Sequence, residues 1–137
     1  MGPLMLPPDC PLGDRVLVTG GRDYGNWQRV TAVLDELYRR HKITHLIEGE
    51  ARGADRMAKL WAISRYVELV DMKADWTGHG MSAGSRRNVQ MIVRGSPDVV
   101  VAFPGDRGTR NMILQTKRFG IPCIDLRYEL YGWGGSL

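Results

Sequence analysis

The feature that most restricts the fold is a repeated switch of hydrophobic period. "RVLVTG" (15 to 20) is a β-branched run stopped by glycine, which predicts a buried strand. From Trp27 to His41 the apolar positions Trp27, Val30, Val33, Leu34 and Leu37 recur at helical spacing. The switch then repeats. "ITHLIEG" (43 to 49) predicts a strand and "ADRMAKLWAISR" (54 to 65) a helix, followed by a strand in "YVELVDM" (66 to 72). A Gly-spaced polar loop leads into a helix from about Ser85 to Arg94. "DVVVAF" (98 to 103) predicts the fourth strand, with a helix from Thr109 to Phe119 and a short strand in "PCIDL" after it. Strands that alternate with helices call for right-handed crossovers and a parallel sheet covered on both faces. The near-continuous apolar strands agree, because a strand covered on both sides need not alternate. The expected fold is α/β, a three-layer Rossmann-like domain with a mainly parallel five-stranded sheet in the order 3-2-1-4-5.

At 137 residues the chain has room for one such domain. The domain is expected over 15–126, behind a Pro-rich arm (1–14) and ahead of an aromatic, Gly-rich tail (127–137). No apolar run approaches the roughly 20 residues that cross a bilayer, and "MGPLMLPPDCPLGD" lacks the pattern of a secretion signal. Cys10 and Cys123 show no metal-ligand spacing. Two free thiols in a reducing cytoplasm are expected, and no metal. The net charge of +4 rests mostly on Arg, which suits phosphate recognition but does not name a partner.

In open α/β sheets a ligand lies outside the carboxyl ends of the strands, where the strand order reverses. For the order 3-2-1-4-5 this crevice falls between strands one and four. The loops there are "TGGRDYGN" (19 to 26) and "FPGDRGTRN" (103 to 111), with "EGEARGAD" (48 to 55) adjacent. Each follows a strand and precedes a helix. Glycine lets backbone N–H groups approach a ligand, and a helix N-terminus offers free donors and partial positive charge. Thr109 is placed to cap its helix or to meet a phosphate. Tight turns alone would also use glycine. Neither G-x-G-x-x-G nor G-x-x-x-x-G-K-[ST] occurs, so ordinary dinucleotide-dehydrogenase and P-loop readings fail.

The motifs "VLVTGGRDY", "EGEARGADRMAKLWA", "ADW", "AGSRRNVQMI" and "FPGDRGTRNMI" resemble, in order and spacing, the YspA, cpYpsA-related branch of the SLOG superfamily. That group is related to the Lonely Guy phosphoribohydrolases and to the DNA-processing protein DprA. The resemblance covers about residues 15 to 125 and implies a pocket for a nucleotide or nucleotide-derived ligand. It places Gly20, Gly21 and Arg22, with neighbouring Asp23, in the first loop. The second loop contributes Gly49, Arg52, Gly53, Ala54 and Asp55. Arg87 and Asn88 fall on a third motif, and Pro104, Gly105, Asp106, Gly108 and Thr109 on a fourth. Two positions depart from the pattern. Glu50 replaces the second glycine of E-G-G-A-R-G-A-D, and Asp106 the second glycine of P-G-G-x-G-T. Asp tolerates positive φ better than most residues, but a carboxylate there would repel a phosphate unless it turns away or meets an Arg.

Three functions are open. The first is binding of AMP, NAD or an ADP-ribose-like molecule without strong catalysis and with no required cofactor. Arg22, Arg52, Arg87 and Arg107 are its phosphate or stacking candidates. The second is nucleoside 5′-monophosphate phosphoribohydrolase chemistry. Arg87 with Met91 matches the R-K-x-x-M of the Lonely Guy enzymes, but Arg110, Asn111 and Met112 stand where their Glu is expected; Asp23, Asp55 and Asp106 are the substitutes. The third, single-stranded DNA binding, is disfavoured because Arg22, Arg52 and Arg107 share their loops with Asp23, Glu50, Asp55 and Asp106. Nucleic acid and membrane are therefore not expected partners, and a homodimer is compatible with the resemblance. His41, His45 and His79 are too scattered for a zinc site. Trp76 and the loop to Gly84 are read either as a flap or as packing. Met57, Leu60 and Trp61 read as core or subunit contact. Tyr128, Tyr131 and Trp133 read as cover for a sheet edge or for a second chain.

Overall fold

The computed structural model describes residues 6–73 and 83–128. Its five strands are β1 (Arg15–Thr19), β2 (His45–Glu48), β3 (Glu68–Asp71), β4 (Val99–Ala102) and β5 (Cys123–Asp125). The helices are α1 (Trp27–Arg40), α2 (Ala54–Ser64), α3 (Ala83–Gly95) and α4 (Arg107–Arg118). All strand pairs are parallel, in the order β3-β2-β1-β4-β5. The expected architecture is therefore present, and the order reverses between β1 and β4.

Alternation along each strand sorts the side chains into two cores. Val16 and Val18, Leu46, Val99 and Val101 meet α1 and α2 through Val30, Val33, Leu34, Ala58 and Trp61. Leu17, Ile47 and Val100 meet Met91 and Ile92 of α3 and Met112 of α4. Trp61 is fully buried, whereas Leu60 on the next position is half exposed, so the residues read together from sequence face opposite ways.

Local chemistry sets the ends of the elements. The Asn26 side chain accepts from the Arg29 N–H at 3.0 Å and starts α1, and Arg39 and Arg40 complement its carboxyl end. Helix α4 begins two residues earlier than the sequence predicts. Asp106 is its N-cap, so Thr109 does not cap the helix; it lies inside the first turn, 2% exposed.

The described part of the segment before β1 packs onto the domain. Leu6 and Cys10 join the larger core, and Arg40 donates to the carbonyls of Leu6 and Pro7 at 2.9 and 2.6 Å. Cys10 and Cys123 are both free thiols. Among the described residues no helix is long and apolar enough to cross a membrane, and no cluster has the ligands for a metal ion. Trp76, His79, Tyr131 and Trp133 lie outside the described residues.

Candidate functional site

The three glycine-bearing loops meet at one rim of the sheet, held together by their own backbones. Gly21 donates its N–H to the Pro104 carbonyl at 2.8 Å, which ties the β1–α1 loop to the β4–α4 loop. The Gly21 carbonyl in turn accepts from the N–H groups of Tyr24 and Ala54, both at 3.2 Å, which ties the same loop to the start of α2. Side-chain-free positions permit this approach. A Cβ on Gly21 would stand 3.0 Å from the Gly105 Cα. Gly53, at φ 80°, presses so close to the Gly21 carbonyl that any Cβ would collide with it. A Cβ on Gly105 would strike Thr109 Oγ1, and one on Gly49 the Arg87 guanidinium. Gly20 lies against the Ala54 and Phe103 side chains. Most of the glycine in these loops thus serves loop-to-loop packing. Gly108 is different, since nothing lies within 4 Å of where its Cβ would stand.

Between the first and third loops lies an open cleft of about 290 Å³, lined by Gly21, Arg22, Asp23, Tyr24, Pro104, Gly105 and Asp106. It occupies the place where the strand order reverses. Tyr24 half-buries its ring by stacking on Phe103, with centroids 5.7 Å apart. Asp106 has φ −122°, so this position does not need glycine, and its carboxylate makes no capping bond to α4. Glu50 does adopt a left-handed backbone, φ 57°. Of the two departures from the motif, only Glu50 therefore sits where glycine would be at ease.

Behind the cleft, a polar layer braces the second loop. Asp55, 5% exposed, accepts from the N–H groups of Gly49 and Ala51 through Oδ2 at 3.1 and 3.3 Å. Burial raises its carboxyl to about 6; nearby Arg87 and the two amide bonds oppose the shift. Arg87 reaches from α3 to donate Nη1 to the Gly49 carbonyl at 2.8 Å. Burial lowers the Arg87 pKa, Asp55 opposes that, and the charge of Arg22 adds to it. The two arginines thus sit close enough to repel each other, with Nη2 of Arg87 making no hydrogen bond among the described residues. Asn88, buried beside Arg87, donates to the Gly108 carbonyl at 3.2 Å and to Asn111 Oδ1 at 2.9 Å.

The sequence-predicted residues accordingly divide into groups. Gly21, Arg22, Asp23, Pro104, Gly105 and Asp106 line the cleft. Ala54, Asp55, Asn88 and Thr109 are buried and hold the loops in place, while Gly20, Gly49 and Gly53 provide close backbone packing. Arg52 points outward and, among the described residues, its guanidinium meets only Asp23, at 3.4 Å with both side chains mostly exposed. Three residues were missed by sequence reasoning: Tyr24, Asn111 and Glu48. Glu48 is fully buried, with Oε1 accepting from the Glu50 N–H at 2.6 Å and Oε2 unpaired among the described residues. An acid closing the apolar run "HLIE" was the available signal.

A five-stranded parallel sheet with helices on both faces and a polar cleft at its switch point, lined by Arg22 and the start of α4, defines a Rossmann-like α/β domain. Residues 14–79 match the family described as the YspA, cpYpsA-related SLOG family. The chain is also similar to the Gene 61 protein of Mycobacterium phage D29, 40% identical over 119 residues, covering 81% of this chain and 94% of that protein. The chain belongs to the YspA, cpYpsA-related SLOG family. No solved structure matches it. The matched segment ends before α3, so the placement of Arg87 and of residues 104–109 at the site rests on the geometry.

Proposed function

We propose that the cleft binds a nucleotide or a nucleotide-derived molecule, with the phosphate at the mouth of α4 between Arg22 and Arg87. The observation that carries this reading is the cleft at the switch point, with Arg22 and the residues that open α4 (Pro104, Gly105 and Asp106) on its lining; Arg87, half-buried behind it, is disfavoured as a cation by the repulsion of Arg22. A bound anion relieves that repulsion, and the first amides of α4 add donors to it. The volume stands at the lower end of small-molecule sites, which favours a mononucleotide or one end of a larger ligand such as ADP-ribose. The Tyr24 ring beside the cleft offers a surface for a base.

Calorimetry with AMP, NAD and ADP-ribose tests the proposal. Binding by at least one of them, weakened tenfold or more in Arg22→Ala and Arg87→Ala, is the expected result. No heat at millimolar ligand would remove the proposal. A second reading, N-glycosidic cleavage of a nucleoside monophosphate, draws on Asp23 and Asp106, two carboxylates lining the same cleft. Such chemistry needs an acid near the sugar to stabilise an oxocarbenium-like transition state. Chromatography of AMP incubations separates the two readings: free adenine that disappears in Asp23→Asn or Asp106→Asn supports turnover, and intact AMP supports binding alone.

A further inference from the structure

The two helices on one side of the sheet differ in charge from the two on the other. Helices α3 and α4 together carry seven basic side chains and no acidic one. The whole chain has a net charge of only +4, so the remainder is net acidic. Arg87 is drawn into the candidate site. The other six, Arg86, Arg94, Arg107, Arg110, Lys117 and Arg118, are exposed. Around α1 and α2 most cations find partners: Arg39 and Arg40 meet Glu36, Arg65 meets Asp35, and Lys59 lies near Glu50 and Asp71, while Lys42 and Arg56 make no ion pair among the described residues. Among the described residues, Arg94, Arg107, Arg110, Lys117 and Arg118 make no ion pair within 4 Å.

Helix electrostatics explain only part of this. Cations in a last turn complement the macrodipole, which accounts for Arg94, Lys117 and Arg118. Arg86, Arg107 and Arg110 stand in opening turns, where the dipole disfavours positive charge and where neither helix has an acidic residue. At 100° per residue, Arg107, Arg110, Lys117 and Arg118 fall on one stripe of α4. The two helices pack side by side and, since both follow parallel strands, point the same way. From Arg107 to Arg118 the stripe rises about 16 Å.

We propose that the α3–α4 face docks the phosphodiester backbone of a nucleic-acid duplex, at a surface separate from the cleft. About 16 Å of duplex axis carries roughly nine phosphates on the two strands together, those on the facing side being within reach of the six exposed cations, five of which are arginines, whose planar fork matches phosphate. Charge opposes a second copy as occupant, because a two-fold interface would set this face against itself. A lipid surface needs a continuous free apolar stripe; Met91, Ile92 and Met112 are buried against the sheet, and Val93 and Leu114, the large apolar side chains these helices expose, are one to a helix and do not form one. Neither helix has an aromatic residue, so the stacking platform that single strands require is missing from the face. Charge nearly cancels in the glycine-bearing loops; the imbalance lies on the helices.

The test is fluorescence anisotropy of the full chain with a labelled 20-base-pair duplex as salt is raised from 50 to 200 mM. With five to six phosphate contacts, affinity is expected to fall roughly a thousandfold over that range. Arg94→Glu with Arg118→Glu, at the end of the face remote from the cleft, should weaken binding at least tenfold and flatten the log–log salt slope by about 2. Lys42→Glu with Arg56→Glu makes the same charge change elsewhere on the surface and should stay within twofold. Circular dichroism shows that each variant is folded. The proposal fails if no duplex binds at 50 mM salt, if both double variants weaken binding equally, or if phosphatidylserine vesicles or a single strand of equal length bind more tightly than the duplex. Ligand binding in the cleft is read separately by calorimetry, so failure of either proposal leaves the other standing.

Discussion

Asp55 uses one carboxylate oxygen to hold two amides of the second loop while burial opposes its charge. Its carboxyl is raised from 3.8 to about 6, so the folded state binds more protons than the unfolded state between those values. The associated stability is complete below about pH 3.8 and is lost as pH rises through about 6. Asp55→Asn should therefore change the slope of stability against pH between 4 and 7. Relative to the variant, the wild type should lose up to about 3 kcal/mol across that interval, read from urea midpoints at both ends. Backbone strain gives a second pair of outcomes. Gly53→Ala must force a Cβ against the Gly21 carbonyl at φ 80° and should cost about 2 kcal/mol or more. Glu50→Gly relieves a left-handed residue and should gain up to about 1 kcal/mol, since glycine's greater chain entropy offsets part of the relief.

Helix α2 links the larger core to the candidate site. Its first residue bonds to the Gly21 carbonyl, and two turns on Trp61 is fully buried, its ring edge-on to Tyr38 and its Nε1 donating to Asp35 at 2.8 Å. Trp61→Ala should destabilise the protein by about 3–5 kcal/mol, measured by denaturant unfolding, while Trp61→Phe keeps most of the apolar contact and should cost less. On the other face, Asn88 clamps the openings of α3 and α4 together. The cleft is thus positioned by elements anchored in both cores, which lets exposed loop residues keep a defined arrangement.

For the molecule as a whole, the stretch before β1 completes the larger core. Leu6 is 1% exposed and its carbonyl is fixed by Arg40, a residue that also bonds Glu36 at 2.5 Å. Leu6→Ala should cost about 2–5 kcal/mol by denaturant unfolding, as for any residue of the core. The molecule's charge is divided unevenly between its two helical layers: most cations around α1 and α2 meet acids, whereas on α3 and α4 Arg94, Arg107, Arg110, Lys117 and Arg118 make no ion pair within 4 Å among the described residues. A net charge of +4 describes neither layer.

Hydrophobic period and glycine position were legible in the linear chain because both are local. They determined five strands, four helices and the glycine-bearing loops between them; the strand order came from the Rossmann-like fold that such alternation implies. The start of α4 was misplaced by two residues because Thr109 looks like a capping residue, whereas the buried contact with Gly105 draws it inside the helix. The parts played by the glycines could not be read locally. Whether a glycine faces a ligand or a neighbouring backbone depends on segments distant in sequence, as Gly53 and Gly21 show. The same holds for charge: Arg22 and Arg87 are 65 positions apart in the chain, yet their proximity shapes the candidate site. Period and turn chemistry act over a few residues, so the sequence alone determined the architecture. Burial, loop contact and the sharing of electrostatic partners act through space, so only the tertiary structure decided which of the predicted site residues line the cleft and which merely hold it open.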